Sequence, residues 1–332
     1  MTVPAGPRGL SRRLALATCA APFLAPRGAL AQEVWPTQPV RLVLPYAPGG
    51  PTDVIARMIA DALSQRLPQR VVVENRTGAG GNIGASVVAK SRPDGATLLF
   101  SNTGHAVNKS LYARLDYDPA ADLTPVTVLA ESPMVMLVPP GSPDRSVADF
   151  VARLRAADGR MTYASTGTGG ALQLVTLLFL KAAGVRMEEI PYRGAAPAVQ
   201  DLLAGRVDLL YDAGFTAFPL ATSGQARALA VSAAQRSPVM PDLPTVAEAG
   251  FPAATFSVWQ AILAPAGTPA PILARIQAEV AAALAEGPLR SRLVEMGAER
   301  LLANTPEEAR RYVDSEITRW ASVLREAGIQ PQ

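Results

Sequence analysis

Two glycine-rich turns, each set between a short apolar run and a helical pattern, constrain this chain more than any other feature. The first, Tyr46-Ala47-Pro48-Gly49-Gly50-Pro51-Thr52-Asp53, follows the run at 40–45; the second, Gly78-Ala79-Gly80-Gly81-Asn82, follows the run at 71–74. Glycine leaves the backbone bare enough for its N–H groups to approach a ligand closely. Each turn also leads into a helix whose positive dipole end faces the same place. Two such corners at the carboxyl edge of one sheet make an anion receptor.

The surrounding pattern predicts that sheet. Apolar residues at 54, 55, 58, 59, 62, 63 and 67 recur at helical spacing, with Thr52 or Asp53 placed as N-cap. Strands are predicted at 40–45, 71–74 and 97–101, and a second helix at 82–90, closed by the turn Arg92-Pro93-Asp94-Gly95. The β-α-β-α-β order with short connections implies a parallel sheet with helices on both faces. A similar unit restarts further on, with strands at 134–138, 161–165, 188–191, 207–211 and 228–232 and helices at 146–156, 171–183 and 196–204. A strand at 256–263 and a mostly helical tail at 270–332 return to the first unit. The expected architecture is α/β with two lobes: residues 32–133 plus 256–332 form the first and 134–255 the second. Two crossing strands, near 131–133 and 253–255, form the hinge.

The N-terminus reads as an address. Arg8, Arg12 and Arg13 precede an apolar run at 14–24, and Ala29-Leu30-Ala31 fits the small-x-small cleavage pattern. That run is too short to span a bilayer. Ser11-Arg12-Arg13-Leu14-Ala15-Leu16 suits twin-arginine as well as general export, and Thr18 stands before Cys19 where a lipoprotein signal carries a smaller residue. The expected product is a monomer exported to the periplasm and cleaved after Ala31. Cleavage removes four of the 31 basic residues and none of the 28 acidic ones, leaving a formal charge of −1. No basic footprint for nucleic acid remains. The single Cys leaves as well, so the mature chain has neither a disulfide nor a thiol nucleophile.

These residues exclude most catalytic chemistry. One His and no mature Cys rule out cysteine catalysis and clustered Cys/His zinc sites, and no metal or cofactor is expected. No G-x-S-x-G, H-E-x-x-H or Walker sequence occurs, and neither Gly-x-Gly pair continues into G-x-G-x-x-G: Ile83 and Leu172 stand where the third glycine belongs. His105 follows a strand but has no serine or carboxylate partner at a meaningful spacing; it reads as a loop histidine bonded to backbone or at a cleft rim. Glu188-Glu189 and Glu307-Glu308 read as a solvated strand start and a helix first turn. Binding groups converge better. Ser165-Thr166-Gly167-Thr168-Gly169 offers hydroxyls and amides at a helix start in the second lobe, and Arg193 follows the next strand, where it could pair with a carboxylate or lie on the surface. Asp212 ends a strand, as a ligand acceptor or as a turn cap.

At these positions the chain resembles the Bug family, the solute receptors of tripartite tricarboxylate transporters. The resemblance runs through Trp35-Pro36-x-x-Pro39-Val40-Arg41, Pro45-Tyr46-Ala47-Pro48-Gly49-Gly50-x-x-Asp53 and Val73-Glu74-Asn75-Arg76-x-Gly78-Ala79-Gly80-Gly81-Asn82-Ile83-Gly84. It continues through Asn108-x-Ser110-Leu111-Tyr112, Tyr117-Asp118-Pro119, Pro191-Tyr192-Arg193-Gly194 and Asp201-Leu202-Leu203-Ala204-Gly205-Arg206-Val207-Asp208. It implies a type II periplasmic-binding-protein fold, two α/β lobes joined by a two-strand hinge, closing over a small carboxylate held by backbone amides and ordered water. On that pattern the contacts fall on Tyr46, Gly49, Gly50 and Asp53, then Gly80, Gly81, Asn82, Thr103 and His105. In the second lobe they fall on Ser165, Thr166, Gly167, Thr168, Gly169 and Arg193. The family's receptor hands its solute to a large and a small membrane subunit. One stretch departs: where the family usually carries Ser, His-Leu and Glu before a Phe, this chain has Gly170, Gln173-Leu174 and Leu177 before Phe179. That helix start is less polar, which implies a ligand with an apolar or aromatic body beside its carboxylate. Other functions compatible with such a pocket are a receptor whose closed form docks on a periplasmic sensor, and a hydrolase using His105.

Overall fold

The computed structural model describes residues 1–4, 6, 35–49, 51–192, 194–326 and 328–331. It separates a unit Met1–Val34 from a compact unit Trp35–Gln332. Residues 1–4 and 6 form neither helix nor strand, and the rest of the expected export signal, with its cleavage point after Ala31, lies outside the described residues. Among the described residues, no helix is long and apolar enough to cross a membrane.

The compact unit begins as the hydrophobic pattern requires. Strand β1 (Val40–Leu44) pairs in parallel with β2 (Val71–Asn75) and β3 (Thr97–Asn102), connected through helices α1 (Pro51–Arg66) and α2 (Asn82–Ala89). Leu42 and Leu44 enter one core cluster and Val43 another, so β1 is buried on both faces, as a central parallel strand must be. On one face lie α1 and α8 (Ala270–Ala285), with Ile59, Leu63, Ile276 and Val280. On the other lie α3 (Gly104–Leu111) and α10 (Pro306–Glu326), with Val107 and Trp320.

The sheet continues through one long strand. β4 (Leu123–Val138) runs for 16 residues and pairs antiparallel with β9 (Ser257–Pro265) from Leu123 to Pro133. From Met134 onward its partners change to β7 (Leu210–Ala213) and β8 (Arg227–Val231). The sequence pattern predicted a strand from 134 and a crossing near 131–133; 123–130 carried no assignment, in a run that Pro125 and Pro133 interrupt. Both prolines are tolerated for local reasons: Pro125 sits at a register shift, and Pro133 stands where β4 exchanges partners. The second lobe adds α4 (Val147–Ala157), the parallel pair β5 (Thr162–Ser165) and β6 (Glu188–Pro191), α5 (Ala171–Ala183), α6 (Ala195–Leu203) and α7 (Gly214–Thr222). The helical tail also holds α9 (Pro288–Glu295) and a two-residue strand, β10 (Arg300–Leu301), which pairs with β4 at Ala130 and Glu131.

Where β10 meets β4, carboxylates crowd together behind the crossing strands. Glu131 accepts from the Tyr312 hydroxyl at 2.7 Å and from Arg300 at 2.9 Å, whereas Glu299 Oε1 is buried with no partner. Glu316, Arg319 and Arg236 line the same cavity of about 610 Å³. Burial, and then the charge of Glu131, push the Glu299 carboxyl up to about 7. A carboxyl raised in the folded state contributes stability that is present below the ordinary carboxylate range and lost as pH rises through about 7. Glu299→Gln is therefore expected to raise the thermal midpoint at pH 8 and leave it nearly unchanged at pH 4. An equal shift at both pH values, measured by calorimetric scans, would contradict this assignment.

Candidate functional site

The first corner is held by a single carboxylate. Asp53, in the first turn of α1, accepts from Gly49 N–H (3.0 Å), from Arg57 Nε (2.9 Å) and Nη2 (3.0 Å), and from Asn75 Nδ2 (2.9 Å). The Arg57 guanidinium, ahead of the other donors, holds its carboxyl down to about 2. Asp53 and Gly49 thus shape the loop without facing the cleft, while Tyr46 lines it. The Tyr46 hydroxyl donates to Asn102 Oδ1 at 2.6 Å, and burial pushes it up to about 12, so it stays protonated.

The second corner is braced from below. Asn82 Nδ2 donates to the Ala79 carbonyl (2.8 Å), and its Oδ1 accepts from Asn108 Nδ2 (3.0 Å) and the Tyr117 hydroxyl (2.8 Å). Asn108 Nδ2 also donates to the Gly80 carbonyl at 3.0 Å. Buried Asn82 is therefore a buttress, and the surface offered to the cleft is Gly80 and Gly81. Glycine is required at 80: φ is +62° and a Cβ would stand 2.5 Å from the Tyr112 hydroxyl.

At the end of β3, Thr103 lines the cleft and its hydroxyl oxygen accepts from Trp259 N–H at 3.2 Å. His105 does not line it. The sequence pattern placed this histidine in a loop, but 104–111 is a helix in which His105 is 2 % exposed and Nε2 has no partner. Its ring bonds to the Pro119 carbonyl, and burial pushes it down to about 4, so it is neutral at pH 7. Asp212 is likewise engaged within the chain, by Ala213 N–H and the Thr216 hydroxyl.

The second-lobe loop contributes Thr166, Thr168 and Gly169, which face the first-lobe residues across one cleft of about 420 Å³. Ser165 is fully buried and accepts from Gly167 N–H at 3.0 Å, so these two support the loop from behind. Glu189, expected at a solvated strand start, is half-buried and accepts from Ser165, Gln173 and Tyr163. Two expected contacts, Gly50 and Arg193, lie outside the described residues.

Three helices start at this cleft, α2, α3 and α5; none is capped by the side chain of its N-cap residue or has an acid in its first turn, although Asn102 Oδ1 accepts from Gly104 N–H (2.9 Å) at the start of α3. In α5 the first backbone bond runs from Leu174 N–H to the Gly170 carbonyl (2.9 Å), which leaves the N–H groups of Ala171, Leu172 and Gln173 without intrahelical acceptors. Among the described lining residues none is charged; the far wall is Leu111, Tyr112, Leu174 and Val258. Sequence reasoning missed Asn102, Asn108, Leu111 and Tyr112. The last three lie three and four residues apart on or just beyond α3, a spacing that has no meaning in a loop and only the helix reveals.

The family profile described as "Tripartite tricarboxylate transporter family receptor" matches residues 55–329. The chain belongs to this receptor family. Among its curated relatives is the protein BugT of Bordetella pertussis, 37 % identical over 298 residues, covering 89 % of this chain and 91 % of BugT. Among solved structures, R. palustris Rpa4515 with adipate is 41 % identical with a TM-score of 0.79, covering 90 % of this chain and all of the other. MatC from Rhodopseudomonas palustris with bound malate is 35 % identical with a TM-score of 0.75, covering 87 % and 99 %. The Bug-family resemblance and the two-lobed α/β periplasmic-binding-protein fold therefore stand.

The receptor's first corner yields a test of its brace. A carboxyl depressed in the folded state contributes stability that is present above its ordinary range and lost as pH falls through about 2. Asp53→Asn is expected to cost about 1.5–3 kcal/mol at pH 7, the range for hydrogen bonds to a charged group. The cost should shrink between pH 4 and pH 2, read by denaturant unfolding at each pH.

Proposed function

We propose that the protein is a periplasmic solute receptor that holds a small carboxylate between its lobes and delivers it to the large and small membrane subunits of a secondary transporter. In this reading the first lobe comprises 32–133 plus 256–332, the second 134–255, and the protein works as a monomer released from its signal after Ala31. The observation that carries it is the cleft: three helix starts with no first-turn acid, two of them with no capping side chain, and two hydroxyl-bearing loops converge on a cavity with no charged group among its described lining residues. Such a lining favours an anion through dipoles and donors without committing a buried cation, and its apolar wall suits hydrocarbon between or beside the carboxylates. The relatives solved with adipate and malate support the ligand class.

A receptor of micromolar affinity requires about −8 kcal/mol, which several charge-assisted bonds supply after ordering costs. Calorimetric titration is expected to give adipate or benzoate at least about tenfold tighter binding than citrate, a difference of about 1.4 kcal/mol. Preference for citrate would remove the apolar-body part of the reading, and failure of every carboxylate would remove the receptor.

Closure supplies a second test. Gly169 has φ +79°, and a Cβ there would meet Leu111 Cδ2 of the first lobe at 2.4 Å. Gly169→Ala is expected to weaken adipate binding and, because φ is positive there, to lower the stability of the free protein by about 1–2 kcal/mol. Adding Leu111→Ala should recover part of the loss; undiminished affinity in Gly169→Ala alone would mean that the loops do not meet in the bound state.

A further inference from the structure

We infer that Gln173 and Glu189 are positioning residues of the carboxylate site, a two-armed clamp that fixes the second-lobe loop from behind; the inference rests on the receptor reading above. One arm runs from Gly167 N–H to Ser165 Oγ (3.0 Å), whose hydroxyl donates to Glu189 Oε1 (2.5 Å). The other runs from Gly169 N–H to Gln173 Oε1 (2.8 Å), whose amide donates to both Glu189 oxygens (3.0 and 2.8 Å). The Tyr163 hydroxyl closes the set on Glu189 Oε2 at 3.2 Å. Ser165 and Gln173 are buried, so these bonds form away from solvent, where a missing partner is costly.

The register explains why the two arms reach one carboxylate. Tyr163 pairs with Glu189 across the parallel β5–β6 ladder, and Ser165 lies two residues on, on the same face of β5. Gln173 occupies the third position of α5, where a side chain naturally reaches back toward the residues before the helix. The amides at 167 and 169 are thereby turned inward, which turns Thr166 and Thr168 toward the cleft. A neutral glutamine at this position also leaves the positive end of α5 uncompensated by an acid, so the helix start remains available to an anionic guest. The negative charge the clamp needs is placed on β6 instead, one side chain further from the ligand.

The chemistry permits a swap. In Gln173→Glu with Glu189→Gln, made together with Tyr163→Phe, a carboxylate at 173 accepts from Gly169 N–H and from the new amide at 189, whose oxygen accepts from Ser165; the Tyr163→Phe change removes the hydroxyl that meets the other Glu189 oxygen. Every donor keeps an acceptor. Hydrogen exchange of the Gly169 amide is the decisive readout, because it reports the clamp with or without ligand. In the exported full chain, Gln173→Leu is expected to accelerate that exchange at least about tenfold and to weaken adipate binding by a similar factor, the scale of one lost buried bond to a polar partner. The swapped pair should restore protection. Unchanged exchange in Gln173→Leu overturns the clamp, as does a swapped protein that folds with the parent melting profile yet leaves Gly169 unprotected. Should Gln173→Leu fail to fold, the swapped pair decides alone. Should the parent protein bind no adipate, the receptor reading is what suffers, and the exchange data still decide the clamp.

Discussion

Every α-helix begins with backbone N–H groups that have no partner inside the helix, and this fold aims three such beginnings at one cavity. The rest of the binding site depends on that constraint. Two helix starts elsewhere are closed in the ordinary way: Ser146 caps α4 by accepting from Asp149 N–H, and Thr305 with Glu308 form a reciprocal cap on α10, whereas α6 and α8, like the starts at the cleft, have no capping bond from the N-cap side chain. At the cleft the corresponding positions are Gly81, Thr103 and Gly170, and none of them caps. Donors left open at a water-filled cleft are tolerable in the free protein, because water satisfies them, and they become selective once an anion displaces that water.

Leaving some donors open requires the others to be firmly held. Asp53 gathers Gly49, Arg57 and Asn75; Asn82 joins Ala79, Asn108 and Tyr117; Glu189 gathers Ser165, Gln173 and Tyr163. Each loop thus has a buried or half-buried polar residue behind it that absorbs the amides pointing away from the cleft. The division of labour is physical: a carboxylate in contact with an anionic ligand would repel it, whereas one a residue further back stiffens the loop and leaves the dipoles facing outward.

Much of this was legible in the sequence, and the failures have common causes. The alternation of apolar strands with helical patterns fixed the α/β layout, since both periods were strong from 40 to 101 and from 161 to 211. Glycine-rich corners located the cleft, because only glycine suits the backbone at positions such as 80 and 169. What sequence could not separate was front from back. Asp53, Asn82, Ser165 and Gly167 sit in the same motifs as Tyr46, Gly81 and Thr168, and only folded geometry tells which face the cavity. His105 was misplaced because a short helix directly after a strand has no room to display its period. Glu189 was misread because one strand of four residues, half-buried, carries too little alternation to mark a polar side chain as internal.

On the proposed receptor reading, closure turns on the strand crossing. β4 passes from one set of partners to the other at Pro133–Met134, and Pro133, lacking an N–H, can contribute no ladder donor at that point. The two crossings are joined instead by Ser232, fully buried: it exchanges bonds with Met134, whose N–H donates to its hydroxyl oxygen (2.9 Å), and its own hydroxyl donates to the Phe256 carbonyl (2.6 Å). Phe256 N–H returns to the Ser232 carbonyl at 2.7 Å. A joint with one ladder donor missing and two strands stitched side by side bends more readily than it twists or separates. On the receptor reading proposed above, the lobes swing about that line while each keeps its own core, and a guest touching both sides favours the arrangement in which Gly169 lies against Leu111.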